Sequence, residues 1–262
     1  MKSKNILLSV LVIAALLGEY FSQELIQAVS FPKSILPENP YLRDVAWKAL
    51  NYSPILLVTG VLFWKQLPFL LGLKHSVVKS FGIALLFTLP MFLTFPFFYE
   101  WNSELDGLSV YRGAFTAAVF EELAFRALIF GALYHCCGWR FLPAALPPAI
   151  IFGLEHLYQA SDVTGAILTF LFMFSCAIWV SWLYVKWGNN LYLAIFLHLL
   201  MNFSWMLFQI GDGALGDLVS NLARLATFAV SVVVTLHVTG RLLPSKAAEA
   251  TGNLNEHEKA FA

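Results

Sequence analysis

Phe120-Glu121-Glu122-Leu123-Ala124-Phe125-Arg126 places two adjacent carboxylates and a guanidinium inside a run, Gly113 to Cys136, that is otherwise almost wholly apolar. Each ionised residue at the centre of a membrane helix costs about 2.5–3.5 kcal/mol, on the order of 9 kcal/mol for the three. A helix that only crossed a bilayer would have no use for them. Whatever compensates those charges must come from the rest of the chain, and it decides what the molecule does.

The chain has 262 residues, of which 59% are hydrophobic and 12% charged, and its mean hydropathy is +0.73. Soluble domains carry about twice that share of charge. The composition is that of a polytopic membrane protein: all-α, a bundle of about eight transmembrane helices. Trp and Tyr often fall near the expected helix ends, where interfacial anchors belong. Net charge is zero, which leaves no basic footprint for nucleic acid. The three cysteines, Cys136, Cys137 and Cys176, form no CxxC pair and read as small buried apolar residues.

In chain order, Lys2 and Lys4 precede an apolar stretch that ends in Gly18-Glu19-Tyr20 rather than in a small-x-small cleavage site. A first uncleaved helix is expected over about Asn5–Tyr20. A polar loop with Pro32, Pro37 and Pro40 follows and holds an interfacial segment around Tyr41–Lys48. Further spans read as Ala49–Trp64, Ser80–Tyr99, Gly113–Cys136, Phe141–Tyr158, Val163–Trp187, Leu191–Ile210 and Leu218–Gly240. The organisation is N-terminal helices and an extracytoplasmic loop over 1–112, a core over 113–211, a last helix over 212–243, and a polar, disordered tail over 244–262.

Orientation follows from the loop cations. With the N-terminus cytoplasmic, the inside segments carry ten Lys and Arg (Lys2, Lys4, Lys65, Lys74, Lys79, Arg140, Lys186, Arg241, Lys246, Lys259). The outside segments carry four, namely Lys33, Arg43, Lys48 and Arg112. The count predicts a multi-pass protein of the cell (plasma or inner) membrane with both termini cytoplasmic.

Ionisable residues inside a membrane are functional-site candidates by default. Those within the spans are Glu121, Glu122, Arg126, Glu155, His156, His198, Arg224 and His237, with the polar Asn202 beside them. On an α-helix Glu122 and Arg126 lie about 40° apart and pair, whereas Glu121 stands about 140° from Arg126. That makes Glu122 and Arg126 a brace and leaves Glu121 as the chemical group. Phe152 with His156, and His198 with Asn202, repeat the one-turn spacing. At 1.5 Å per residue, Glu121 and Asn202 fall about 12 Å from the outer face, His198 about 18 Å and His156 about 3–9 Å. Three helices therefore deliver polar groups to one half of the membrane. Arg224 and His237 sit in no motif and receive no role.

These pieces, EExxxR (Glu121, Glu122, Arg126), FxxxH (Phe152, His156) and HxxxN (His198, Asn202), resemble the CPBP family. Its members are intramembrane proteases similar to the type II CAAX prenyl endopeptidases and to the bacteriocin-processing or Abi proteins. The resemblance covers about Gly113 to Ile210. Ala127 stands where a Gly commonly follows the motif arginine, and Glu155 is a less usual neighbour for the histidine. The resemblance implies that Glu121 and His156 activate a water while His198 and Asn202 stabilise the tetrahedral oxyanion. The chemistry is coherent, since preorganised donors in a dry cavity contribute about 3–4 kcal/mol each. No metal is taken as the reading, because no HExxH is present. Zinc held by Glu121, His156 and His198 is the alternative.

The function read from the sequence is an intramembrane endopeptidase. Its expected partners are membrane lipid and a membrane-tethered or exported, possibly lipid-modified, protein or peptide. Two other classes fit the same residues: a non-catalytic scaffold of the same fold in secretion or immunity, and a transporter or proton relay. The scaffold would survive substitution of Glu121, and the relay would show flux in liposomes. The relay lacks the matched, Gly/Pro-broken helices of a transporter.

Overall fold

A computed structural model describes residues 3–28, 32–211 and 213–240. The tail expected over 244–262, and the cations Lys2, Arg241, Lys246 and Lys259, lie outside the described residues. What is described is all-helical apart from an isolated bridge between Trp101 and Phe208.

The elements are α1 (Ser3–Tyr20), α2 (Ser22–Ala28), α3 (Pro40–Asn51), α4 (Ser53–Leu62) and α5 (Val77–Phe98). They continue with α6 (residues 107–136), α7 (Phe141–Glu155), α8 (Val163–Lys186), α9 (Leu191–Met206) and α10 (Leu218–Thr239). Polar caps set most of the starts. Asn39, Ser76, Asp106, Asp162, Asn190 and Asp217 each accept from a backbone N–H of the first turn, which satisfies donors that a helix otherwise leaves open. Gly240, at φ 68°, ends α10 in the left-handed conformation that glycine adopts without strain.

Among the described residues five helices are long and apolar enough to cross a membrane: α1, α5, α7 with its extension to Gln159, α8 and α10. The bent pair α3–α4 would make a sixth, and α9 is apolar but shorter. The expected span Ala49–Trp64 is instead two helices meeting at 61°. Its physical cause is Pro54 just past Tyr52: proline has no N–H to continue the first helix's ladder, and it suits the opening turn of a new one. The rod α6 carries too many charges to qualify by composition, yet it is the most buried element. The expectation of about eight spans thus becomes a helical membrane bundle with five or six such helices.

Burial explains how α6 tolerates its charges. Ala124, Phe125, Ala127, Ile129, Phe130, Ala132 and Leu133 are all nearly inaccessible. They pack against Val12 and Leu16 of α1, Ile55 of α4, Ala144, Ala145, Ala149 and Phe152 of α7, and Tyr184 of α8. Small residues on both sides let the helices approach closely, the usual basis of packing in lipid. A second cluster joins α5, α8 and α9 through Phe87, Leu183, Leu193 and Leu197. Large apolar side chains such as Leu57, Val61, Val78 and Phe97 are exposed and face outward, as suits contact with lipid. The protein is a multi-pass integral membrane protein with α6 at its centre. At one end, Asn102 N–H donates to Leu207 O and Gln209 N–H to Glu100 O, which clasps the loop after α5 to the loop after α9.

Candidate active site

The backbone of α6 is not a plain α-helix. It runs through an α-turn (Gly107–Val110), a π segment (Tyr111–Thr116), a second α-turn (Ala117–Glu121) and two further π segments (Glu122–Phe130, Ala132–Cys136). The Gly131 N–H, for example, reaches back five residues to Arg126 O. Such widened turns are rare and frequent at functional sites. After the α-turn Ala117–Glu121 the widening resumes at Glu122, so the 100° step assumed from the sequence does not hold beyond that residue.

Glu122 and Arg126 are 1% and 2% exposed, and Arg126 Nε lies 3.0 Å from Glu122 Oε2. The contact is an ion pair without good hydrogen-bond alignment. The guanidinium also lies 4.6 Å from the centre of the Phe152 ring, a cation–π contact that adds to its compensation. Glu122 has a second partner that the sequence did not indicate. Its Oε1 accepts from His198 Nδ1 at 2.7 Å. One carboxylate thereby ties α6 to itself and to α9.

Glu121 stands apart. Its Oε2 is buried, has no hydrogen-bond partner among the described residues, and lies 3.9 Å from His198 Nε2. His156, at the end of α7, donates from Nδ1 to Phe152 O at 2.6 Å, so its Nε2 keeps a lone pair. Its ring packs on Phe152, centroids 4.4 Å apart. Asn202 uses one Nδ2–H on Gly113 O at 2.9 Å and keeps the other for a ligand. Glu121, Glu122, Arg126, Phe152, His156, His198 and Asn202 all line a single cavity of about 830 Å³. Three helices far apart in sequence bring these groups together.

Residues 103–204 match the family model for type II CAAX prenyl endopeptidases, Rce1-like. The match covers less than half of the chain, and this segment is similar to that family. No curated protein matches the chain. The matched segment spans α6, α7, α8 and nearly all of α9, and so holds all seven residues named above. An Rce1-like core implies proteolysis within the membrane, acting on a protein substrate.

Among the described residues no group of three His, Cys, Asp or Glu side chains is placed to hold a metal ion.

Several residues around the site carry no motif. Arg224 is 8% exposed and lines the cavity. It donates to Ala214 O at 2.7 Å, to Leu215 O at 2.6 Å and to Asn221 Oδ1 at 2.8 Å. It lies between the rings of Phe172 and Trp205, 4.4 and 4.1 Å from their centres. It thus pins the loop after α9 over the cavity; an arginine in an apolar span was the available signal, without any spacing to give it a partner. Glu155 interacts with the buried carboxyl of Glu19 and is not part of the cavity lining. Nothing in the spacing of two glutamates 136 positions apart reveals that contact.

Proposed function

We propose that this protein is a metal-free intramembrane endopeptidase in which Glu121 is the general base. The observation that carries the reading is the state of Glu121: a half-buried carboxylate whose inaccessible Oε2 has no hydrogen-bond partner among the described residues, in a cavity shared with His156, His198 and Asn202. Burying such a group without a partner costs several kcal/mol, which is consistent with a site built for chemistry rather than stability.

A water held between Glu121 and the free Nε2 of His156 loses a proton to Glu121 as its oxygen attacks the substrate carbonyl. The resulting oxyanion receives the second Nδ2–H of Asn202. It also receives Nε2–H of His198 when that ring is doubly protonated, with its Nδ1–H on Glu122. Glu121 then passes its proton to the amide nitrogen, and the C–N bond breaks. Glu122 and Arg126 position the ring of His198 and do not touch the substrate. Read with the eight spans of the sequence analysis, the loop cations favour cytoplasmic termini and a cavity in the outer half of the bilayer, and with them an exported or membrane-anchored substrate.

The test is cleavage of a membrane-tethered reporter library by the purified protein in liposomes, with Glu121→Gln, His156→Ala and His198→Ala beside the wild type. Glu121→Gln should lose about 10²–10⁴-fold in rate with an unchanged unfolding midpoint. If all three variants keep full activity, the reading fails.

A further inference from the structure

Two carboxyls next to the site take no part in the reaction above. Glu19, on the last turn of α1, is 5% exposed, and its Oε2 is inaccessible and without a hydrogen-bond partner among the described residues. Glu155, the last residue of α7, meets the carboxyl of Glu19. Neither side chain lines the cavity. Two carboxyls in apolar surroundings attract only with a proton between them, one donating and the other accepting. Tyr52, between α3 and α4, and Glu121 of α6 lie within electrostatic reach of both.

Glu155 is the chain neighbour of His156, and consecutive residues on a helix point about 100° apart. That step turns Glu155 toward α1 while His156 lines the cavity. The ring of His156 donates to Phe152 O, one turn back in the same helix. Its backbone N–H reaches Gly153 O at 3.4 Å, where α7 gives way to the 3₁₀ turn Leu157–Gln159. Both bonds are internal to α7, so they fix the ring relative to that helix and not relative to Glu121. The carboxyl pair supplies a tie of the second kind. One residue before Glu19, Gly18 lets α1 close on α4: a Cβ there would stand 3.3 Å from Cβ of Pro54. Ile55 of α4 packs in the same core as the α6 residues that follow Glu121. The route from the helix of Glu121 to the turn of His156 thus runs through α4, α1, Glu19 and Glu155.

We propose that Glu19 is a positioning residue for the reaction: through Glu155 it fixes the last turn of α7, and with it the placement of His156 against Glu121. This rests on the protease reading above and adds to it a residue outside the cavity and outside the matched segment 103–204. The role needs a hydrogen-bonding group at position 19 and not a titrating one, since an amide can donate to a carboxylate as a protonated carboxyl does. A proton relay through the same pair would need the carboxyl itself.

The experiment measures kcat and KM on the membrane-tethered reporter in liposomes, and hydrogen exchange over residues 156–160, with the full-length protein. The variants are Glu19→Leu, Glu155→Leu, the two together, and Glu19→Gln. Glu19→Leu should lower kcat about 10- to 100-fold and leave KM within about twofold. Exchange over 156–160 should quicken several-fold while α6 stays protected. Glu19→Gln should return both kcat and exchange close to the wild type. The double variant should be no slower than either single one, since all three remove the same contact. Wild-type kcat in Glu19→Leu overturns the proposal. Glu19→Gln as slow as Glu19→Leu overturns it in favour of a proton relay. Exchange that quickens throughout the bundle overturns it in favour of a general packing role. A wild type no faster than Glu121→Gln sinks the protease reading instead. Exchange over 156–160 then still decides the contact, and an unchanged rate in Glu19→Leu overturns that as well.

Discussion

Glu122 is the residue at which folding and catalysis separate most cleanly. Its two oxygens have different partners: Oε2 lies 3.0 Å from Arg126 Nε, and Oε1 accepts from His198 Nδ1 at 2.7 Å. Both partners of the ion pair are essentially inaccessible, so Glu122→Gln leaves a buried guanidinium without its counter-charge. Removing one partner of such a pair costs about 3–5 kcal/mol. The His198 bond can survive in weakened form, since an amide oxygen still accepts. Replacing the whole pair, as Glu122→Leu/Arg126→Met, removes both charges and leaves apolar groups of similar volume. In other buried pairs that exchange is neutral or stabilising by about 1–4 kcal/mol. The double variant should therefore regain most of the lost stability. It should not regain activity, because His198 has lost the carboxylate that orients it, and a displacement of about 1 Å at a catalytic group can cost 10²-fold. Unfolding midpoints from denaturant titration in mixed micelles, measured beside cleavage rates in liposomes, give both quantities. A Glu122→Gln variant as stable as wild type would refute the ion-pair argument. A double variant with wild-type activity would refute the orienting role.

Two further outcomes follow from groups at the edges of the bundle. Arg224→Lys keeps the charge but loses the fork that holds Ala214 O, Leu215 O and Asn221 Oδ1, at about 1–3 kcal/mol. Hydrogen exchange over residues 213–217 should quicken several-fold, and unchanged exchange would show that the loop is held by other contacts. Asp217, at the start of α10 outside the membrane, has its carboxyl held below the ordinary range by the Ser220 N–H and by the Tyr99 hydroxyl. A lowered folded-state value means that its contribution is present above about pH 3.9 and is lost as pH falls through the folded value. Protection of the first-turn amides of α10 should drop over that window in the wild type. It should stay flat in Asp217→Asn, which keeps the capping acceptor; identical profiles would remove Asp217 as the cause.

Much of the architecture was legible because lipid imposes simple rules on composition. Apolar runs of sufficient length locate α1, α5, α7, α8 and α10 within a few residues of the expected bounds. The kink at Tyr52 was not read, although Pro54 is its cause, because hydropathy alone does not register a missing N–H. The π segments of α6 were not legible either. Leu70 and Tyr184 pack against that helix at Gly131, and the local sequence does not record such packing. In the sequence, the grouping of Glu121, His156, His198 and Asn202 rests on depth along separate helices, since rise per residue is a local property, and the four side chains line the same cavity. Which atoms face one another was not legible there.

By itself the sequence determined that the chain is a helical membrane protein and which few polar residues the bilayer would not tolerate without compensation. The tertiary structure decided how those residues are compensated. Glu122 is shared between Arg126 and His198, Phe152 covers the guanidinium, and Glu121 keeps a buried oxygen with no hydrogen-bond partner among the described residues. The physical reason is range: the cost of a charge in an apolar run follows from its own neighbours in sequence, whereas the groups that offset it come from helices up to 76 positions away and meet only when the bundle packs.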